Sequence, residues 1–182
     1  MKVLKNKKTA VVITAVLVIL SSLYGSHHSL MVLRNEVLEV FYNGEKSDGK
    51  GINSDLEYIS DECYNLTIVA GRYIDKEDER ITDILSKREL LAESNDPGSK
   101  YKAREQLVAA AMVLYQDIKA MELSERDRYY IESFLVNVNS RELILSHNSY
   151  NGKAREFNRI LEVFPAKLFG KLTMVKPLEL YE

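Results

Sequence analysis

His147 to Pro165 reads HNSYNGKAREFNRILEVFP. Tyr150-Asn151 returns seven residues later as Phe157-Asn158, and the aromatic returns once more at Phe164, now followed by Pro165. Seven residues are close to two α-helical turns, so side chains at that interval stand nearly in line. The stretch predicts helix, and a column of aromatics predicts a packed one. Traced backwards, the column runs through Leu143, Val136 and Tyr129; four residues after each member come Ser133, Ser140, His147, Ala154, Leu161 and Leu168. This predicts one rod, unbroken from an N-cap at Ser124, with Asp127 three residues on, to about Phe164. Asn151 and Asn158 lie one step round from the column, in line with Asn137. Amides in that position either edge a core or hydrogen-bond to a neighbour and fix register.

The segments upstream are also helical in pattern. Leu30, Leu33, Val37, Val40 and Gly44 alternate steps of three and four, predicting a helix from about Ser29 to Asn43. GEKSDGKG then makes the clearest loop. Ile52, Leu56, Ile59, Cys63, Leu66, Ala70 and Tyr73 keep a heptad seam, with Ser54 and Glu57 arranged as a capping box. The charged run DKEDER loosens that seam, which resumes at Ile81, Ile84 and Leu85, and reads as a solvated face. SNDPGS, residues 94–99, is a turn. A third helix follows, carrying Leu107, Ala111, Leu114, Tyr115 and Ile118.

The N-terminus is different. MKVLKNKK precedes TAVVITAVLVILSSLY, and no Asp, Glu, Lys or Arg occurs from Thr9 to Leu33. The strongly apolar part, Ala10 to Tyr24, is short for a span, but the uncharged stretch is long enough to cross a bilayer. Two readings stand: a retained signal anchor or a cleaved signal peptide. No A-x-A site follows and the helical pattern continues beyond the apolar part, which favours the anchor. Lysines ahead of the stretch, against Arg34 offset by Glu36 and Glu39 behind it, place the N-terminus in the cytoplasm and the body outside.

Composition narrows the chemistry. The 182 residues include only 8 Gly and 3 Pro, too few for the many tight turns of an all-β fold. With Lys2, Lys5, Lys7 and Lys8 set aside, 21 basic residues face 27 acidic ones, a net charge of −6 from Arg34 onward. An acidic body without a basic stripe argues against nucleic acid as a partner. The single cysteine excludes an intrachain disulfide, and on the seam it reads as an inert buried thiol. None of His27, His28 and His147 completes the Glu-x-x-His pair of a carboxylate-bridged metal site. No phosphate-binding glycine loop, nucleophile elbow or HExxH is present. No catalytic, cofactor-binding or metal-binding residue is therefore assigned.

In order and in detail the chain resembles the bacterial LemA family, whose members carry a short basic N-terminus, one transmembrane helix and a bundle of long helices. The family's Tyr-Asn, aromatic-Asn and Phe-Pro series corresponds here to Tyr150-Asn151, Phe157-Asn158 and Phe164-Pro165, followed by a tail ending Leu180-Tyr181-Glu182. In the second helix Asn65-Leu66 and Val69 to Tyr73 fit the family pattern, while Tyr64 stands where the family has proline. The GEKSDGKG loop is an insertion, and the tail lacks the family's Gly-Phe pair, so the chain resembles a divergent member. The resemblance implies a membrane-anchored helical protein and no particular reaction.

These readings combine into an all-α protein: a basic segment at 1–8, a transmembrane anchor at 9–29, and an elongated antiparallel four-helix bundle at 30–182. The residues expected to set its register are Asn65, Tyr150, Asn151, Phe157, Asn158, Phe164 and Pro165. Expected partners are the lipid bilayer, through the N-terminal helix, and a protein partner or a second copy of the chain. The alternatives are a secreted soluble bundle after signal cleavage, or an enzyme with a polar site formed by Asn137, Asn151 and Asn158. No cofactor is expected.

Overall fold

Among residues 7–182, which the computed structural model describes, all regular structure is helical. Lys2 and Lys5 of the basic segment lie outside the described residues. The α-helices are α1 (Lys7–Asn43), α2 (Ile52–Ala70), α3 (Glu79–Glu93), α4 (Pro97–Lys119), α5 (Glu125–Ser146), α6 (Tyr150–Ile160) and α7 (Ala166–Leu172), with a short 3-10 turn at Glu45–Ser47. Contacts divide the chain into two units. One holds the residues through Leu38 and Gly152–Leu178; the other holds Glu39–Asn151 and Glu179–Glu182.

In the second unit α3 packs on α4, and α2 packs on α5, α4 and α3. The α2 seam is buried as its heptad spacing predicts: Ile52, Leu56, Ile59, Cys63, Leu66 and Ala70 all lie in the core. Polar pairs give the helix directions. Asp55 bonds Arg141, Glu62 bonds Asn137, and Asp127 bonds Arg72 and Tyr73, so α5 descends as α2 ascends. Arg80 with Asp117, and Lys100 with the carbonyl of Leu91, set α3 against α4 in the same antiparallel sense.

Two expected long helices are divided. The charged run DKEDER is mostly solvated as expected, but it is not helical throughout: α3 starts only at Glu79. The chain leaves α2 at Gly71, and Asp78 caps α3 by accepting the Arg80 N–H while its carboxylate also holds the Arg80 guanidinium. The cap at Ser124 forms as expected, its hydroxyl accepting from the N–H of Asp127 at 3.2 Å. The capping box at Ser54 does not. Helix α2 begins earlier, at Ile52 behind Gly51, and the Ser54 hydroxyl donates to the Gly51 carbonyl instead. Gly51 sits where the end of α1 passes closely: a Cβ there would lie 2.5 Å from the Tyr42 carbonyl oxygen.

The second division lies inside the opening stretch. Helix α5 ends at Ser146, and a new helix starts at Tyr150, whose N–H is taken by the Asn148 side chain at 2.8 Å. Ser and Asn compete for backbone hydrogen bonds and suit a restart. The restart changes the phase. The buried face of α5 is Asp127, Ile131, Phe134, Val138 and Leu145, and in α6 burial continues at Tyr150, Ala154 and Phe157. From Leu145 an unbroken heptad would reach Gly152, not Tyr150. The buried heptad position is displaced by two residues across the break. Tyr129, Val136 and Leu143 therefore point outward, at 70%, 68% and 62% exposure, whereas Tyr150 and Phe157 are 0% and 1% exposed.

In the first unit, Val11 to Leu20 of α1 is exposed throughout. Shielding starts at Leu23, Ser26 and His27 and becomes burial at Leu30 and Val37, steps that trace one helix face. Ala154, Phe157, Gly170, Val175 and Leu178 are buried in the same unit, and Arg34 Nε donates to the Lys176 carbonyl at 3.2 Å.

Candidate functional site

The asparagines of the aromatic–amide series hold the C-terminal tail. Asn151 donates from Nδ2 to the Tyr181 carbonyl at 2.9 Å and accepts the Tyr181 N–H at Oδ1 at 2.8 Å. Asn158 repeats the pattern on Leu178, at 2.8 Å and 2.7 Å. A primary amide presents one donor and one acceptor side by side, matching the N–H and C=O of one extended residue. Seven helical residues rise about 10.5 Å and three extended residues span about 10 Å, so amides seven apart suit tail residues three apart.

Each aromatic finishes the fastening within its own unit. Tyr150 donates its hydroxyl to the Glu179 carbonyl at 2.6 Å, and its ring meets Phe41 edge-on at 5.1 Å. Tyr181 packs edge-on against Tyr101 at 5.3 Å and takes a hydrogen bond from Arg104 Nε. Burial pushes the Tyr181 phenol up to about 12, so it stays neutral and can accept that bond. Arg104 is itself buried and pairs with Glu142 at 3.1 Å. Burial raises the Glu142 carboxyl above its ordinary value, against the opposing pull of Arg104. In the other unit Phe157 is buried beside the Asn158 clamp. Phe164, by contrast, is 77% exposed ahead of Pro165. Asn65 is exposed on α2 and faces α5 across a groove.

That groove, of about 560 Å³, runs between α2 and α5. Ile68 and Arg72 line one wall and Arg126, Tyr130, Ser133 and Asn137 the other. Beside it lies the outward column Tyr129, Val136 and Leu143, so large side chains occupy three successive heptad positions along an uncovered face. A second trough, among α2, α3 and α4, is lined by Leu56, Leu85 and Leu91 as well as by Glu57, Asp61, Arg88 and Lys100.

Asn137 donates to Glu62, Asn151 holds Tyr181 and Asn158 holds Leu178, so the three amides have separate partners and share none. Cys63 lies on the α2 seam, fully buried, and burial raises its thiol to about 12, well outside the reactive range. Among the described residues no group of three or more His, Cys, Asp or Glu side chains could hold a metal ion. The tail was missed as the partner of the asparagines because an extended segment has no periodicity of its own. The restart at Asn148 did leave a signal: Asn-Ser directly before an aromatic helix start is a capping pattern.

No family model, curated protein or solved structure matches this chain. The fold and surfaces define a class: a helical protein with one N-terminal helix long and apolar enough to cross a membrane and several packed helices behind it.

Proposed function

We propose that this is a single-pass membrane protein of the LemA kind, with its N-terminus in the cytoplasm, whose helical body binds a protein partner and carries out no reaction of its own. The observation that carries the reading is α1. It runs without a break from the exposed apolar stretch at Val11–Leu20 to positions buried in the body at Leu30, Val37 and Val40. An exposed apolar stretch that long is unfavourable in water and favourable in lipid. The partner surface is the α5 column with the adjoining α2/α5 groove. Its outward Tyr129, Val136 and Leu143 repeat at the interval by which an amphipathic helix engages a groove.

Membrane fractionation with N-terminal sequencing tests the anchor: the full-length chain, extractable only by detergent, is expected. A soluble product beginning after Tyr24 would instead establish the secreted reading. A photocrosslinker at Val136, in native membranes, is expected to capture one defined partner band or a chain dimer. The same probe at Glu89 should capture neither. Equal and diffuse labelling at both positions would defeat the partner assignment.

A further inference from the structure

The segment around α7 has a composition unlike the rest of the body. Between Gly152 and Leu178 there are six Lys or Arg and two Glu, against a net charge of −6 for the chain from Arg34 onward. Phe164, Leu168 and Leu172 stand four residues apart, and all three are exposed. Lys167 and Lys171 lie one step round from them. Met174, immediately beyond, is 85% exposed. Large apolar side chains turned to solvent and rimmed by lysine are the pattern of a helix that lies in a membrane interface.

Depth along α1 gives this patch its partner. A hydrocarbon core of about 30 Å takes about 20 helical residues, so a span that begins after Lys8 ends close to His28. Leu30 and Arg34 then sit at headgroup level. It is here that the α7 segment is fastened within the first unit. A Cβ on Gly170 would lie 3.9 Å from Leu30 Cδ1, and Arg34 holds the Lys176 carbonyl. The shielded face of α1 begins at Leu23, about 10 Å below Leu30 along the axis. Interfacial helices bury their apolar face by about 5–10 Å, a comparable depth.

We propose that α7 with its flanking residues is a second membrane element, lying in the headgroup region of the bilayer that α1 crosses and binding anionic phospholipid. Phe164, Leu168, Leu172 and Met174 enter the acyl boundary, and Lys167 and Lys171 meet the lipid phosphates. The proposal rests on the reading of α1 as a span. It ties the body to the lipid surface at two points.

The full chain in nanodiscs, with or without phosphatidylglycerol, provides the test. An environment-sensitive fluorophore is placed on Leu172→Cys, and on Val16→Cys and Val136→Cys as references; Cys63 is buried and does not compete for label. Shallow nitroxide lipids are expected to quench position 172, deep ones position 16, and neither position 136. Lys167→Gln with Lys171→Gln should lower the docked-to-undocked ratio at 172 by roughly fivefold per lysine in anionic discs, and little in zwitterionic ones. Quenching at 16 without quenching at 172 would overturn the interfacial element and leave the span intact, the outcome expected if a protein or a second copy covers α7. Absence of quenching at both positions would remove the span and the proposal together.

Discussion

Helices α5 and α6 share a heptad column in sequence and treat it oppositely. In α5 its members Tyr129, Val136 and Leu143 face solvent; in α6 Tyr150 and Phe157 are fully enclosed. The difference lies in what each helix packs against. Helix α5 is oriented by α2, through Asp127 with Arg72 and Tyr73 and through Asp55 with Arg141, and it buries Ile131, Phe134 and Val138. Helix α6 is oriented by the tail through two asparagines. A break of three residues, His147 to Ser149, lets each helix choose its own rotation. A repeating column thus reports which residues line up along a helix, and the neighbouring elements decide whether that line is inside.

The largest effects should separate the two halves of the column. Phe157→Ala removes an enclosed ring and should cost about 3–5 kcal/mol in denaturant unfolding of the detergent-solubilised chain. A loss below about 1 kcal/mol would mean that the ring is not enclosed and would erase the contrast. Next come the clamps. Asn151→Ala leaves the N–H and C=O of Tyr181 without their partner and should cost about 1–3 kcal/mol. Hydrogen exchange at Tyr181 should accelerate sharply while Cys63 remains unreactive to maleimide. Asn151→Asp keeps the acceptor but cannot donate, so it should fall between wild type and alanine.

The α5 anchor gives an effect dependent on pH. Hydrogen bonds from Tyr73 and Ser124, with the nearby Arg72, hold the Asp127 carboxyl below its ordinary value. A group depressed in the folded state stabilises fully above its unfolded pKa, about 3.9 for aspartate, and loses that contribution as pH falls through the folded value. Stability should therefore decline below about pH 4, and Asp127→Asn should flatten that part of the profile. An unchanged acid limb would show that Asp127 does not anchor α5. The smallest effect belongs to the outward residues: Val136→Ala should change unfolding by no more than about 0.5 kcal/mol while reducing partner crosslinking. A large loss of stability there would place the column inside after all.

Much of this was legible in the residues, but unevenly. The α2 seam and the Ser124 cap with Asp127 at its third position depend on neighbours within one or two turns and are found where they were expected. The SNDPGS stretch does break the chain, although its Pro97, Gly98 and Ser99 already form the first turn of α4. The Ser54 capping box failed because α1 passes close to Gly51 and α2 starts earlier, a contact outside the local pattern. Asn137, Asn151 and Asn158 looked equivalent because all three share a heptad line. Only their partners, Glu62 in one case and tail backbone in the others, distinguish them.

By itself the sequence determined that the chain is helical and that its N-terminal helix is apolar and uncharged over a membrane-crossing length. Those properties follow from the order of side chains along one helix. Tertiary structure alone decided the enclosure of Tyr150 and Phe157, the exposure of Tyr129, Val136 and Leu143, and the fastening of Tyr181 by Asn151. Which face of a helix is enclosed and which extended segment it pairs with depend on surfaces that meet only after folding, and neither leaves a period in the chain.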